Sequence, residues 1–167
     1  MSRALYSHAS MQSIPIQHRL RPMILAAAAA LGAWNTAAHA ESPVDLNSLR
    51  GRVVYLDFWA SWCAPCRQSF PWMQEMQDTY RPQGLTIIAV DVDRKRRDAE
   101  RFLAKVHTTF EVQYDPDGEL AERFHVQGMP MGFLIDRRGV VRFTHIGFLP
   151  SDRARYEEQV RQVLNEK

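Results

Sequence analysis

Cys63 and Cys66 are the only cysteines in the 167-residue chain, and they lie three apart in Trp62-Cys63-Ala64-Pro65-Cys66. A pair at this spacing could staple the fold, hold a metal or exchange disulfides. A staple between such near neighbours closes a tiny loop, and stabilisation by a disulfide grows with loop size. A zinc site needs about four ligands, and no second cysteine pair completes the set. His107, His125 and His145 are scattered and form no spaced ligand set with the cysteines, so they read as packing or surface residues. Redox chemistry is therefore the leading reading. One sulfur attacks a disulfide as thiolate, and the other resolves the mixed disulfide that forms.

The flanking segments would position this pair. Val53–Trp59 is apolar, β-branched and aromatic, which predicts a buried strand. Asp57 is its odd member. A helix is expected to start at about Cys63, because Phe70, Met73 and Tyr80 recur at helical spacing. Unpaired N–H groups and the positive end of the helix dipole would then favour negative charge on the Cys63 sulfur. Pro65 suits the first turn, where its missing N–H is not needed. Cys63 is accordingly expected to attack and Cys66 to resolve. Pro71 predicts a kink in the helix, and Pro82-Gln83-Gly84 ends it.

Further on, the pattern predicts a strand at 85–90, a helix at 94–105, a short strand at 112–114 and a short helix at 119–124. Strands at 133–135 and 140–145 follow, joined by an Asp136–Gly139 hairpin turn. A last helix runs to about Asn165, with Ser151 or Asp152 as its cap. Strands alternating with helices imply an α/β domain with a parallel core, and the terminal hairpin adds an antiparallel strand.

The ends of the chain bear on compartment. Residues 1–21 hold Arg3, Arg19 and Arg21, followed by an apolar run from Met23 to Trp34 and then Ala38-His39-Ala40. Basic, apolar and small residues in this order predict a signal peptide over 1–40, or an N-terminal anchor if it is not cleaved. The domain then occupies 41–167. Three of the 21 basic residues and none of the 19 acidic ones lie in the leader, so the remaining 127 residues carry a formal charge of −1. No positive field remains to attract nucleic acid. Export would bring the cysteines into an oxidising compartment, here expected to be the periplasm.

Asp57-Phe58-Trp59-Ala60-Ser61-Trp62-Cys63-Ala64-Pro65-Cys66 resembles the active-site segment of the thioredoxin superfamily. With the leader and the long segment before Gly128, the chain resembles the exported TlpA/ResA-like thiol-disulfide oxidoreductases over residues 43–165. The resemblance implies a thioredoxin-like α/β fold: a central mixed sheet flanked by helices, with a strand and helix inserted near 94–126 before the cis-proline strand. It implies a catalytic set of Cys63, Cys66, Asp57 and Pro130. Pro130 takes the place of the cis-proline beside the cysteines, and Asp57 that of a buried carboxylic acid that passes a proton to and from Cys66. Trp62, Met129 and Pro65 would meet substrate. Ser69 and Met131 depart from the family, which often has Glu and Thr or Ser there.

No cofactor or metal is expected. The expected partners are oxidised proteins, with apocytochrome c or copper-site proteins as candidates, and a membrane thiol donor. Two other functions stay open at this point. A reduced thiol pair with Met129 and Met131 beside it would suit Cu(I). The fold also hosts thiol peroxidases, although these place the reactive cysteine in another local motif. Arg94–Arg97 reads as a solvated helix start, and Asp115-Pro116-Asp117-Gly118 as a turn.

Overall fold

A computed structural model describes residues 44–166. The signal peptide or anchor expected over 1–40 lies outside the described residues. The elements are β1 (Val53–Trp59), α1 (Ala64–Tyr80), β2 (Leu85–Asp91), α2 (Arg96–Leu103), β3 (Glu111–Tyr114), α3 (Glu119–Arg123), β4 (Met131–Ile135), β5 (Val141–Ile146) and α4 (Arg153–Asn165). They form one five-stranded sheet in the order β3-β2-β1-β4-β5. β1, β2 and β3 run parallel, while β4 is antiparallel to both β1 and β5. The expected succession of elements along the chain holds, but the reversal falls one strand earlier than the hairpin alone implied. Hydrophobic period marks a strand without giving its direction.

β1 lies in the middle and is buried along its whole length. Its alternation divides the core. Val53, Tyr55 and Trp59 join the cluster built with α1 and α4, which includes both cysteines. Val54, Leu56 and Phe58 face the other cluster, with Leu120 of α3. Aromatic contacts fix α1 on β1: Trp59 meets Phe70 edge-on at 4.7 Å between centroids, and Tyr55 meets Trp72 at 5.4 Å. Phe102 of α2 packs onto Phe70 at 5.0 Å and closes this layer at the inserted segment.

Some buried polar groups on these elements are paired, while the indole N–H groups of Trp59 and Trp72 have no hydrogen-bond partner. Gln77 of α1 accepts the Ile87 N–H at 3.0 Å, at a point on β2 before β3 begins to pair with it. α1 continues through Pro71 to Tyr80, and Gly84, at φ 100°, turns the chain into β2. The cap of α4 differs from the expectation. Asp152 occupies the cap position, but its carboxylate turns back to accept the Leu149 N–H at 3.2 Å and pairs with Arg155.

Gly132 in β4 is fixed by space. A β-carbon there would sit 2.3 Å from the Tyr55 hydroxyl and 3.3 Å from Asp57 Oδ1. Both neighbours are buried, and the Tyr55 hydroxyl would have to shift to admit a methyl group. Gly132→Ala should therefore destabilise the domain by about 1–3 kcal/mol through overpacking, measured as a lower urea midpoint at unchanged slope.

Candidate active site

β1 ends at Trp59, and α1 starts five residues later. The turn between them is held by the loop that follows β2. The Ser61 N–H and hydroxyl both donate to the Asp93 carboxylate, at 2.7 and 3.1 Å. The Val92 N–H donates to Trp59 O, and the Cys63 N–H to Ala60 O, each at 3.0 Å. Sequence reading gave Asp93 no role. The available signal was the parallel pairing of β1 and β2, which brings the loops after the two strands to the same edge of the sheet. Asp91, one residue into that edge, is pushed up to about 8 by burial and then by the neighbouring Asp93.

Cys63 is the N-cap of α1, and its sulfur accepts the Cys66 N–H at 3.2 Å. The two residues are joined as a disulfide, with Cα atoms 5.3 Å apart. No acidic side chain stands in the first turn of α1, so nothing there opposes negative charge on Cys63. Pro65 occupies that first turn. Ser69 is buried and donates to Cys66 O at 2.9 Å, so the residue that departs from the family pattern is tied to the second cysteine. The two sulfurs differ in access: Cys66 is wholly buried, while Cys63 keeps 5% of its surface. Trp62 stands beside them 67% exposed.

Asp57 follows the alternation of Tyr55 and Trp59 and so lies on the face that carries α1. It is 2% exposed, and its Oδ2 has no hydrogen-bond partner. Desolvation raises it from the usual carboxylate range to about 8. A carboxyl in this state is protonated at neutral pH, so it can give its proton to a neighbouring group and afterwards take it back.

The Met129–Pro130 peptide bond is cis. Pro130 is buried, and its carbonyl accepts the Gly147 N–H at 2.8 Å, which ties the loop before β4 to the end of β5. Met129 is half-buried against the cluster that contains the cysteines. Met131 belongs to the opposite cluster, with Phe58 and Phe133. The placement of both methionines beside the thiols, expected for a copper site, is thus corrected. Pro130 separates them, and strand alternation sends Met131 through the sheet. Among the described residues no group of three or more His, Cys, Asp or Glu is arranged to hold a metal ion.

Beside the start of α1 lies a groove of about 510 Å³, walled by Pro65, Gln68, Ile146, Phe148, Leu149 and Asp152 among others. Ile146 and Leu149 are 66% and 62% exposed. Sequence reading had given this wall, formed after β5, no part in the site. Pro65 belongs to it, and Trp62 adds exposed apolar surface next to the disulfide.

Comparison with known proteins agrees with this geometry. The Redoxin family model matches residues 27–162. Thiol-disulfide oxidoreductase ResA of Oceanobacillus iheyensis is 34% identical over 113 residues, covering 68% of this chain and 59% of that protein. ResA of Bacillus subtilis is 33% identical over 98 residues, covering 59% and 55%. The chain thus spans somewhat more than half the length of these relatives. A crystal structure from Chlorobium tepidum, assigned as a thiol:disulfide interchange protein DsbE, superposes with a TM-score of 0.71 at 50% identity, covering 72% of this chain and 85% of that one. StoA of Bacillus subtilis superposes with a TM-score of 0.56 at 26% identity, covering 64% and 82%. The chain belongs to the Redoxin family and is a TlpA/ResA-like member of the thioredoxin superfamily, its Cys63–Cys66 domain being an oxidoreductase domain.

Proposed function

We propose that the protein is an exported thiol-disulfide oxidoreductase that reduces disulfides in other proteins of the periplasm. The observation that carries this reading is the Cys63 sulfur at the N-cap of α1, accepting the Cys66 N–H. The same donor stabilises the Cys63 thiolate once the disulfide is opened. That thiolate attacks one sulfur of a substrate disulfide, forms a mixed disulfide and expels the first substrate thiolate. Asp57, which gave its proton to Cys66 when the Cys63–Cys66 disulfide was opened, takes it back as Cys66 attacks the Cys63 sulfur. The second substrate thiolate leaves, and Cys63–Cys66 forms. Two electrons pass to the substrate, and a thiol donor returns them to the domain.

The names of the ResA and DsbE relatives support the reaction class, and the leader pattern supports export. No helix among the described residues is long and apolar enough to cross a membrane. The groove and the exposed Trp62 suit an extended apolar segment of an oxidised protein. Apocytochrome c and copper-site proteins are the substrates we propose to test first. A membrane thiol donor is the proposed source of electrons. Nucleic acid is not a proposed partner.

The direction of electron flow is tested by equilibrating the protein with glutathione redox buffers. A reductase should have a potential near the thioredoxin value of about −270 mV, whereas one near about −120 mV would make it an oxidant. Partner choice has its own test. Met129→Thr should change the set of proteins captured in mixed disulfides while the fold stays intact. An unchanged set would remove Met129 from recognition.

A further inference from the structure

His145 is a buried imidazole with no part in the exchange just described. It is 3% exposed and stacks on Tyr156 at 3.6 Å, with the rings 4° from parallel. Its Nε2 is 2.7 Å from Gln159 Oε1 on α4, and its Nδ1 is 3.1 Å from the Tyr55 hydroxyl on β1. In sheet register Asp57 pairs with Gly132, and Gly132 with His145. Because Gly132 has no side chain, the Tyr55 hydroxyl and Asp57 Oδ1 both lie within 3.3 Å of the place its β-carbon would take. The hydroxyl and Asp57 Oδ1 therefore share the space over Gly132, and the hydrogen-bond partner of the hydroxyl is the imidazole.

The polarity of this chain follows from its far end. An amide oxygen only accepts, so the proton on the ring is at Nε2. Burial holds His145 far below the usual histidine range, at about 4, so the ring is neutral and Nδ1 has only a lone pair. Tyr55 must donate to it. The tyrosine proton then points away from Asp57, and only oxygen lone pairs are left toward the carboxyl. The other ionisable groups nearby are Tyr156, which acts on Asp57 and Tyr55, and Asp152 and Arg155, which act on His145 from the α4 side.

We propose that His145, backed by Gln159, is a positioning residue that keeps the Tyr55 hydroxyl from donating to Asp57 and so leaves the buried carboxyl without a donor that would favour its ionised form. The catalytic consequence rests on Asp57 being the proton carrier for Cys66. The geometric claim can be tested without that reading, because its readout is the titration of Asp57 and not turnover.

The test is the carboxyl carbon shift of Asp57 followed by NMR against pH in the oxidised full chain. Wild type, Tyr55→Phe, His145→Phe and the double variant are compared. With His145→Phe the freed hydroxyl donates to the carboxylate, and the Asp57 midpoint should fall by about one pH unit or more. Tyr55→Phe should leave the midpoint within about 0.3, and the double variant should return to it. Gln159→Leu keeps the test available if His145→Phe does not fold. Without the amide oxygen the imidazole is free to move its proton to Nδ1 and donate to Tyr55, so the midpoint should again fall. An unmoved midpoint in His145→Phe or its stand-in would overturn the proposal. So would a rise in Tyr55→Phe, which would mean that the hydroxyl already serves Asp57. If Asp57 titrates as expected but its removal leaves the exchange kinetics unchanged, the positioning claim stands and the proton-carrier reading fails.

Discussion

Cys63→Ser should abolish turnover of protein disulfides, down to the rate of exchange without enzyme. Cys66→Ser should allow one attack and then stop. The asymmetry comes from the start of α1. Cys63 is the cap residue, keeps a small exposed edge and has a backbone N–H aimed at its sulfur. Cys66 is within the helix and wholly buried, so it reaches no external disulfide and acts only on the Cys63 sulfur. A serine hydroxyl at 63 is not ionised near neutral pH and is no substitute for a thiolate. A serine at 66 leaves the first attack intact and removes only the resolving step. The check is reduction of a protein disulfide followed by thiol release under limiting donor. Cys63→Ser should release none above background, while Cys66→Ser should release one thiol equivalent and hold the other half of the substrate.

Asp57→Asn should raise stability and lower rate, and both effects should depend on pH. In the unfolded chain Asp57 titrates at its ordinary 3.8, and in the folded protein at about 8. Between these values the folded state keeps a proton that the unfolded chain releases. The contribution of Asp57 to stability is therefore full below about pH 4 and declines as pH rises, until it levels off above about 8. At ~1.4 kcal/mol per pH unit, the total decline is on the order of 6 kcal/mol. Urea unfolding at pH 5, 7 and 9 should show the wild type losing stability against the asparagine variant. The gain is smaller than the full figure, because a buried amide needs partners of its own.

The kinetic effect has the opposite sign. In the oxidised protein below pH 8, Asp57 holds the proton that the Cys66 thiolate needs as the disulfide opens. Asn cannot supply it, so reduction by a dithiol should slow about 10²-fold at pH 7. The difference should narrow above pH 8, where Asp57 is itself ionised. Stopped-flow tryptophan fluorescence follows the step. Equal rates at pH 7 would remove Asp57 from the mechanism, whatever the stability data show.

Much of this site could be read in the chain because its signals are local. The apolar run to Trp59, the cysteine spacing, Pro65 and the helical spacing of Phe70 and Met73 together put Cys63 at a helix start within one residue. The strands and their succession along the chain followed from the same periodicity. What could not be read involves long-range pairing. The direction of β4 depends on which strand it joins. Gly132 looks like any strand glycine until Tyr55, 77 positions earlier, is seen to fill its space. His145 meets Tyr55 across 90 residues, and Ser61 meets Asp93 across 32. Asp152 has the residue type of a cap, yet its carboxylate is used by Leu149 and Arg155. Met131 was misplaced for a related reason. Its face follows from alternation, but only after Pro130 has set where β4 begins.

The central claim is that Cys63 is the sulfur that meets the substrate. The most direct measurement uses Cys66→Ser in the full chain, reduced and mixed with a protein disulfide, then digested without reductant and mapped by mass spectrometry. A stable mixed disulfide joining Cys63 to one substrate cysteine, in about equimolar yield, is the result expected from a two-cysteine exchange. Complete substrate reduction by this variant, or failure to form any adduct while the protein remains folded, would contradict it.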